Sequence, residues 1–258
     1  MVDKTITHSR GLSRWQASGL HLLISASIAA VVIVVMLAIW YPPPLFTTEG
    51  GGGILFILIA VDVVLGPLIT LIIFKSGKPG LRMDLTVIAL LQISALVYGC
   101  HVMFVARPVF IVFVVDQFET VRAIELDPGD LAEARIPDYR TLPLTGPVVV
   151  AVEPPTDEKE RSDLIFSAVG GGKDLRHFPK YYVIYSNYRQ RAIAKSQSLE
   201  TARTREKSLA GSIEKFIVES GRKESEVRYL PLRTRSGWGA ALIDAKTGDL
   251  IKLLPPSV

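Results

Sequence analysis

The stretch LIAVDVVLGPLITLIIF, residues 58–74, reads as a lipid-soluble helix, yet it carries a carboxylate, Asp62, and a helix-breaking proline, Pro67. Three such apolar runs dominate the first 105 positions, at 20–40, 54–74 and 85–105, each of 21 residues. At ~1.5 Å per residue each is long enough for a ~30 Å hydrocarbon core. Buried helices of soluble proteins are rarely this long and this poor in charge, so the runs are predicted to be membrane spans.

The first run reads as an uncleaved anchor. Its apolar region is too long for a signal peptide, and no small-x-small cleavage pattern precedes the exit Trp40-Tyr41-Pro42-Pro43-Pro44. Trp15 at one end and Trp40 with Tyr41 at the other suit the two interfaces, where an aromatic ring keeps its polar edge wet. Lys4, Arg10 and Arg14 precede the first run, and Lys75, Lys78 and Arg82 crowd the second connector. The connector 41–53 has no Lys or Arg. Positive connectors stay in the cytoplasm, so the N-terminus is expected inside and everything after residue 105 outside.

The net charge of +4 is spread evenly, with 23 basic against 21 acidic residues from 106 onward. That balance is no nucleic-acid footprint. The single cysteine, Cys100, lies within the third run, so the outer part has no disulfide; it is long enough to bury a core without one.

The predicted fold is a bundle of three transmembrane helices (1–106) followed by a periplasmic α+β domain (107–258) with a mainly antiparallel sheet. VFIVFVVD (109–116) reads as a central strand leaving the membrane directly. DPGDLAEAR (127–135) reads as a short helix with Asp127 as N-cap and proline next. A strand follows at 148–152, then a helix closed by Gly170, Gly171 and Gly172. YYVIYS (181–186) is a further strand. The polar stretch 189–207 reads as a solvated helix or one that leans on a partner. EVRYLPL, GWGAALID and DLIKLLP complete the sheet, the last two joined through a Lys246-Thr247-Gly248 turn.

No catalytic or cofactor pattern emerges. GGGK (170–173) lacks the first glycine of a phosphate loop, having Ser167 there, and Asp174 stands where Ser or Thr is needed. The histidines at 8, 21, 101 and 177 have no metal-ligand spacing, and there is no nucleophile elbow. No enzyme, cofactor or metal is implied.

The chemistry to explain is inside the membrane. Asp62 lies eight residues from the outer end of its run, about 12 Å deep. A lone carboxylate there costs at least ~2.5–3.5 kcal/mol. It must be protonated, hydrogen-bonded to Tyr98 or His101 at matching depth in the third run, or paired with a group from another protein. Pro67 frees the carbonyl one turn earlier, that of Val63, and Gln92 lies at the right depth to donate to such a carbonyl. Gly66 allows close helix approach. Asp62, Gly66, Pro67, Gln92, Tyr98 and His101 are therefore the candidate site residues, either pinning the bundle or reading a partner helix.

Several segments together resemble the type IV pilin accessory proteins, the TfpX/TfpZ family: SGLHLLIS (18–25), WYPPPLF (40–46), VDVVLGPLITLIIF (61–74), LRMDLTVIALLQISALVYG (81–99), ARPVFIVFVVDQFE (106–119) and PLTGP (143–147). They fall in order over the first 150 residues, with weaker similarity at 164–175. The resemblance implies a bacterial, non-enzymatic inner-membrane protein that assists assembly of a major type IV pilin, whose N-terminal apolar helix sits in the same membrane. No functional residue carries over from it. Other readings of the residues are a membrane-anchored sensor or scaffold of another envelope complex, a membrane-bound hydrolase, and a transporter.

Overall fold

The structure is a computed structural model and describes residues 12–256. Lys4, His8, Arg10 and residue 258, used above for orientation, spacing and chain limits, lie outside the described residues. From the N-terminal side, α1 (Arg14–Val35) runs into a π-helical turn, Met36–Trp40. A connector follows with the short helix α2 (Leu45–Thr48). Next, α3 (Gly51–Ile59), a π-helical segment Ala60–Leu65 and α4 (Gly66–Ile73) form one continuous helix. The third long helix is α5 (Leu81–Ala106).

All three long helices, Arg14–Trp40, Gly51–Ile73 and Leu81–Ala106, are long and apolar enough to cross a membrane. Their outward side chains are large hydrophobics, such as Phe56, Ile72 and Leu91, each about two-thirds or more exposed. A surface of that kind suits lipid, not water.

The chain forms two compact units. Among the described residues, one holds 12–35 together with Gly53–Val102; the other holds Met36–Gly52 and 103–256. The connector between the first two long helices thus belongs with the sheet unit, not with the helical one. Leu45 is buried in the sheet's core, Tyr41 donates to the carbonyl of Met103 at 2.8 Å, and Ser236 N–H donates to the carbonyl of Thr48 at 3.1 Å.

In the sheet unit, β1 (Pro108–Val114) starts two residues after α5 and turns straight into β2 (Gln117–Arg122). After α6 (Pro128–Ala132) come β3 (Val148–Val152), α7 (Glu158–Val169) and β4 (Tyr182–Ile184). Three short helices follow, α8 (Arg189–Lys195), α9 (Leu199–Arg205) and α10 (Ala210–Ser220). The chain closes with β5 (Val227–Thr234), β6 (Gly237–Asp244) and β7 (Leu250–Leu254). The seven strands lie in the order β4-β3-β1-β2-β5-β6-β7. Four of the six pairings are antiparallel; β1–β3 and β2–β5 are parallel.

β1 sits inside this order and is buried on both faces. Phe110 and Val112 enter one core with Tyr139 and Tyr182, while Ile111 and Phe113 enter another with Leu45, Ala192 and Leu230. The period of two sorts alternate residues to opposite layers. The polar stretch 189–207 is not one solvated helix. It breaks at Ser196–Ser198, where Gln197 bridges Tyr229, and its small residues Ala192 and Ala202 are fully buried. Asp127 precedes α6 as expected, but its carboxylate pairs with Lys173 instead of capping the helix. Asp157 does cap α7, accepting from Glu160 N–H at 2.8 Å.

Candidate functional site: a carboxylate in a cleft between helices

The helix that carries Asp62 changes pitch around it. Between Ala60 and Leu65 the backbone bonds run from residue i to i−5, so Gly66 N–H reaches the carbonyl of Val61. The next bond in that series would run from residue 67 to the carbonyl of Asp62, and Pro67 has no N–H to give. Gln92 of α5 supplies it: Nε2 donates to the Asp62 carbonyl at 3.0 Å. The π turn has moved the orphaned acceptor from Val63, the expected one, to Asp62.

Gln92 extends a chain of hydrogen bonds across the unit. Its Oε1 lies 2.7 Å from His21 Nε2, which must donate, leaving His21 Nδ1 to accept from the Thr70 hydroxyl at 2.7 Å. Ser18 Oγ donates to the carbonyl of Pro67 at 2.9 Å. Gln92 Nε2 and Oε1, both ring nitrogens of His21 and the Thr70 hydroxyl thus each have a partner. Gly66 makes room for this chain, since a Cβ there would stand 2.0 Å from Gln92 Nε2. A second close approach joins α5 to α3, where Gly99 admits the side chain of Leu58.

The side chain of Asp62 stands outside that network. It is 7% exposed, and neither carboxylate oxygen has a hydrogen-bond partner among the described residues. It faces a cleft of about 180 Å³ walled by α1 and α5, with His21, Ser25, Ala29, Leu58 and Gln92 among its lining and aliphatic side chains over the rest. A buried acid with both oxygens idle is costly, and a cleft this size has space for a donor from elsewhere.

The structure brings Gly66, Pro67 and Gln92 together beside Asp62 and leaves Tyr98 and His101 apart. Tyr98 is 70% exposed and shares another face of α5 with His101, Ser94 and Val97. The expected hydrogen bond from either to Asp62 is not made. Depth matched but azimuth did not: at about 100° per residue, His101 is half a turn around the helix from Gln92. The residues that sequence reasoning missed are His21, Ser18 and Thr70. A signal existed, because Ser18, His21 and Ser25 form a polar stripe at helical spacing in an otherwise apolar run. Among the described residues no three metal-ligating side chains cluster.

A family model described as "Fimbrial assembly protein FimB" matches residues 9–50. Three proteins of Dichelobacter nodosus are similar over longer spans. "Fimbrial assembly protein, serogroup I" is 29% identical over 213 residues, 82% of this chain and 77% of that protein. "Fimbrial assembly protein, serogroup E1" is 30% identical over 201 residues, 77% of this chain and 74% of that protein. "Fimbrial assembly protein, serogroups C1 and C2" is 32% identical over 122 residues, 46% of this chain and 89% of that protein. No solved structure matches the chain. These relatives agree with the resemblance to pilus accessory proteins carried by the quoted segments. On the strength of the serogroup E1 relative in particular, the chain belongs to the fimbrial assembly protein family.

Proposed function

We propose that the protein is a non-enzymatic inner-membrane factor for pilus assembly that receives the apolar helix of a major type IV pilin in the cleft beside Asp62. The name shared by the relatives supports the role in assembly. The uneven distribution of Lys and Arg supports an orientation with the N-terminus in the cytoplasm and the sheet unit in the periplasm.

The observation that carries the site is the idle carboxylate of Asp62, facing a cleft in which His21 and Gln92 are already hydrogen-bonded elsewhere. A donor on the incoming helix, such as a terminal amine or a hydroxyl, relieves the desolvation cost, so docking is favoured at that depth alone. A contact of the sheet unit with the subunit's exported head would add to it, since two weak contacts on one molecule reinforce each other through effective concentration. The protein acts in this reading as a holding chaperone for subunits awaiting incorporation.

Co-purification in mild detergent tests the reading. Pilin should be the dominant partner of the wild-type chain and be lost from Asp62→Asn at unchanged abundance of the protein. Recovery of another envelope complex in place of pilin would favour a sensor or scaffold and contradict the proposal.

A further inference from the structure

A second cleft, of about 200 Å³, lies wholly within the sheet unit, between β2, the turn joining β5 to β6, and the connector residue Glu49. Four guanidinium groups line it: Arg122, Arg176, Arg233 and Arg235. Arg122 donates to Glu125 Oε1 at 3.1 Å, and Arg176 donates to Glu119 Oε2 at 2.7 Å. Arg233 stands 3.7 Å from the same Glu119, which is itself buried and so fixes both side chains from behind. Arg235 forms no ion pair among the described residues and lies against Gly50.

The cleft also holds an unspent polar atom. Glu49 is 2% exposed; its Oε1 accepts from the Thr120 hydroxyl at 2.7 Å, while its Oε2 has no partner. Burial pushes this carboxyl above the usual carboxylate range. It sits among forked guanidinium donors. A donor-rich, cationic and partly desolvated cleft matches the oxygen array of a phosphate group.

Chain connectivity fixes where the cleft lies. Glu49 is two residues ahead of Gly51, the first residue of α3, and two residues of chain reach at most about 7 Å. A helix that crosses a membrane begins at the headgroup layer, so the cleft must lie at that level. Trp238, directly across the ladder from Arg233 and 45% exposed, is the side chain type that favours this layer.

We infer that this cleft binds the phosphate of an anionic phospholipid headgroup, with Arg233 and Arg235 as the outer contacts. The inference takes α3 as a membrane span and is independent of which fimbrial subunit the protein assists. Free inorganic phosphate offers the same chemistry, so the two sources are separated by experiment. The full chain in a maltoside micelle is titrated calorimetrically with dihexanoyl-phosphatidylglycerol and, separately, with inorganic phosphate. The lipid should bind saturably and more tightly than phosphate, and Arg233→Ala with Arg235→Ala should weaken it at least tenfold. Both arginines are exposed, so the double variant should melt like wild type, and Lys252→Ala, on β7, should bind normally. Equal affinity for inorganic phosphate, lost in the same variant, would keep the phosphate site but overturn its assignment to lipid. No saturable binding, or lipid binding untouched by the double variant, would overturn the site itself.

Discussion

At Gly66 the absence of a side chain decides whether a bundle forms around the acid. Any Cβ there displaces Gln92, which is the donor for the Asp62 carbonyl and the link to His21. Gly66→Ala should therefore destabilise the protein by about 1–3 kcal/mol, the usual cost of overpacking plus a lost buried bond. Gly19→Ala, in open space on α1, should not lower the melting temperature measured in detergent. At the other extreme of burial, Val115 in the β1–β2 turn has φ of +58°, a left-handed conformation that a β-branched residue adopts only under strain. Val115→Gly should raise stability by about 1 kcal/mol in denaturant unfolding of the full chain, and a fall would show that the tip is not strained. Asp62 and Pro67 stood out in the sequence because charge and proline are conspicuous among Leu, Ile and Val. His21 did not, because a sequence gives depth along a helix directly but azimuth only once the packed face is known, and the π turn shifts that face by a further residue.

Elements were legible where their signals are local. Strand β1, the helix capped by Asp157 and the β6–β7 hairpin all follow from alternation, capping or turn chemistry within a few residues. The hairpin illustrates how strongly a turn can be written in. Asp244 accepts from the Thr247 N–H at 2.9 Å, from Arg222 at 2.8 Å and from the Lys246 N–H at 2.9 Å. These bonds hold its carboxyl down to about 2 from an ordinary value of 3.8. A group with a depressed pKa lends its stability above the unfolded value and loses it as pH falls through the folded one. Asp244→Ala should therefore cost about 1 kcal/mol at pH 6, and the gap from wild type should narrow as pH drops from about 4 towards 2. A gap that is constant across that range would separate the effect from the ionised carboxylate. The break between α8 and α9 was not legible, since Gln197 is placed by a bridge to Tyr229, more than thirty residues away in sequence.

For the molecule as a whole, the division into apolar helices and a mixed sheet was readable, but the place of the connector was not. Residues 41–53 looked like an exit loop of the membrane part; the structure makes the connector a layer of the sheet unit, with Leu45 1% exposed in its core. Its contacts are with residues such as Thr120 and Ser236, far along the chain, and no local pattern announces them. Leu45→Ala should thus behave as a core truncation and cost about 2–5 kcal/mol, seen as a lower melting temperature of the full chain in detergent. An exit loop would tolerate it.

The most direct measurement is photo-crosslinking in cells from Ile93, in the wall of the Asp62 cleft, with and without Asp62→Asn. The expected result is an adduct to the major pilin in the otherwise wild-type chain that disappears with Asp62→Asn while the protein's level stays the same. An equally strong adduct from the Asn variant would contradict a role for the carboxylate in receiving the subunit.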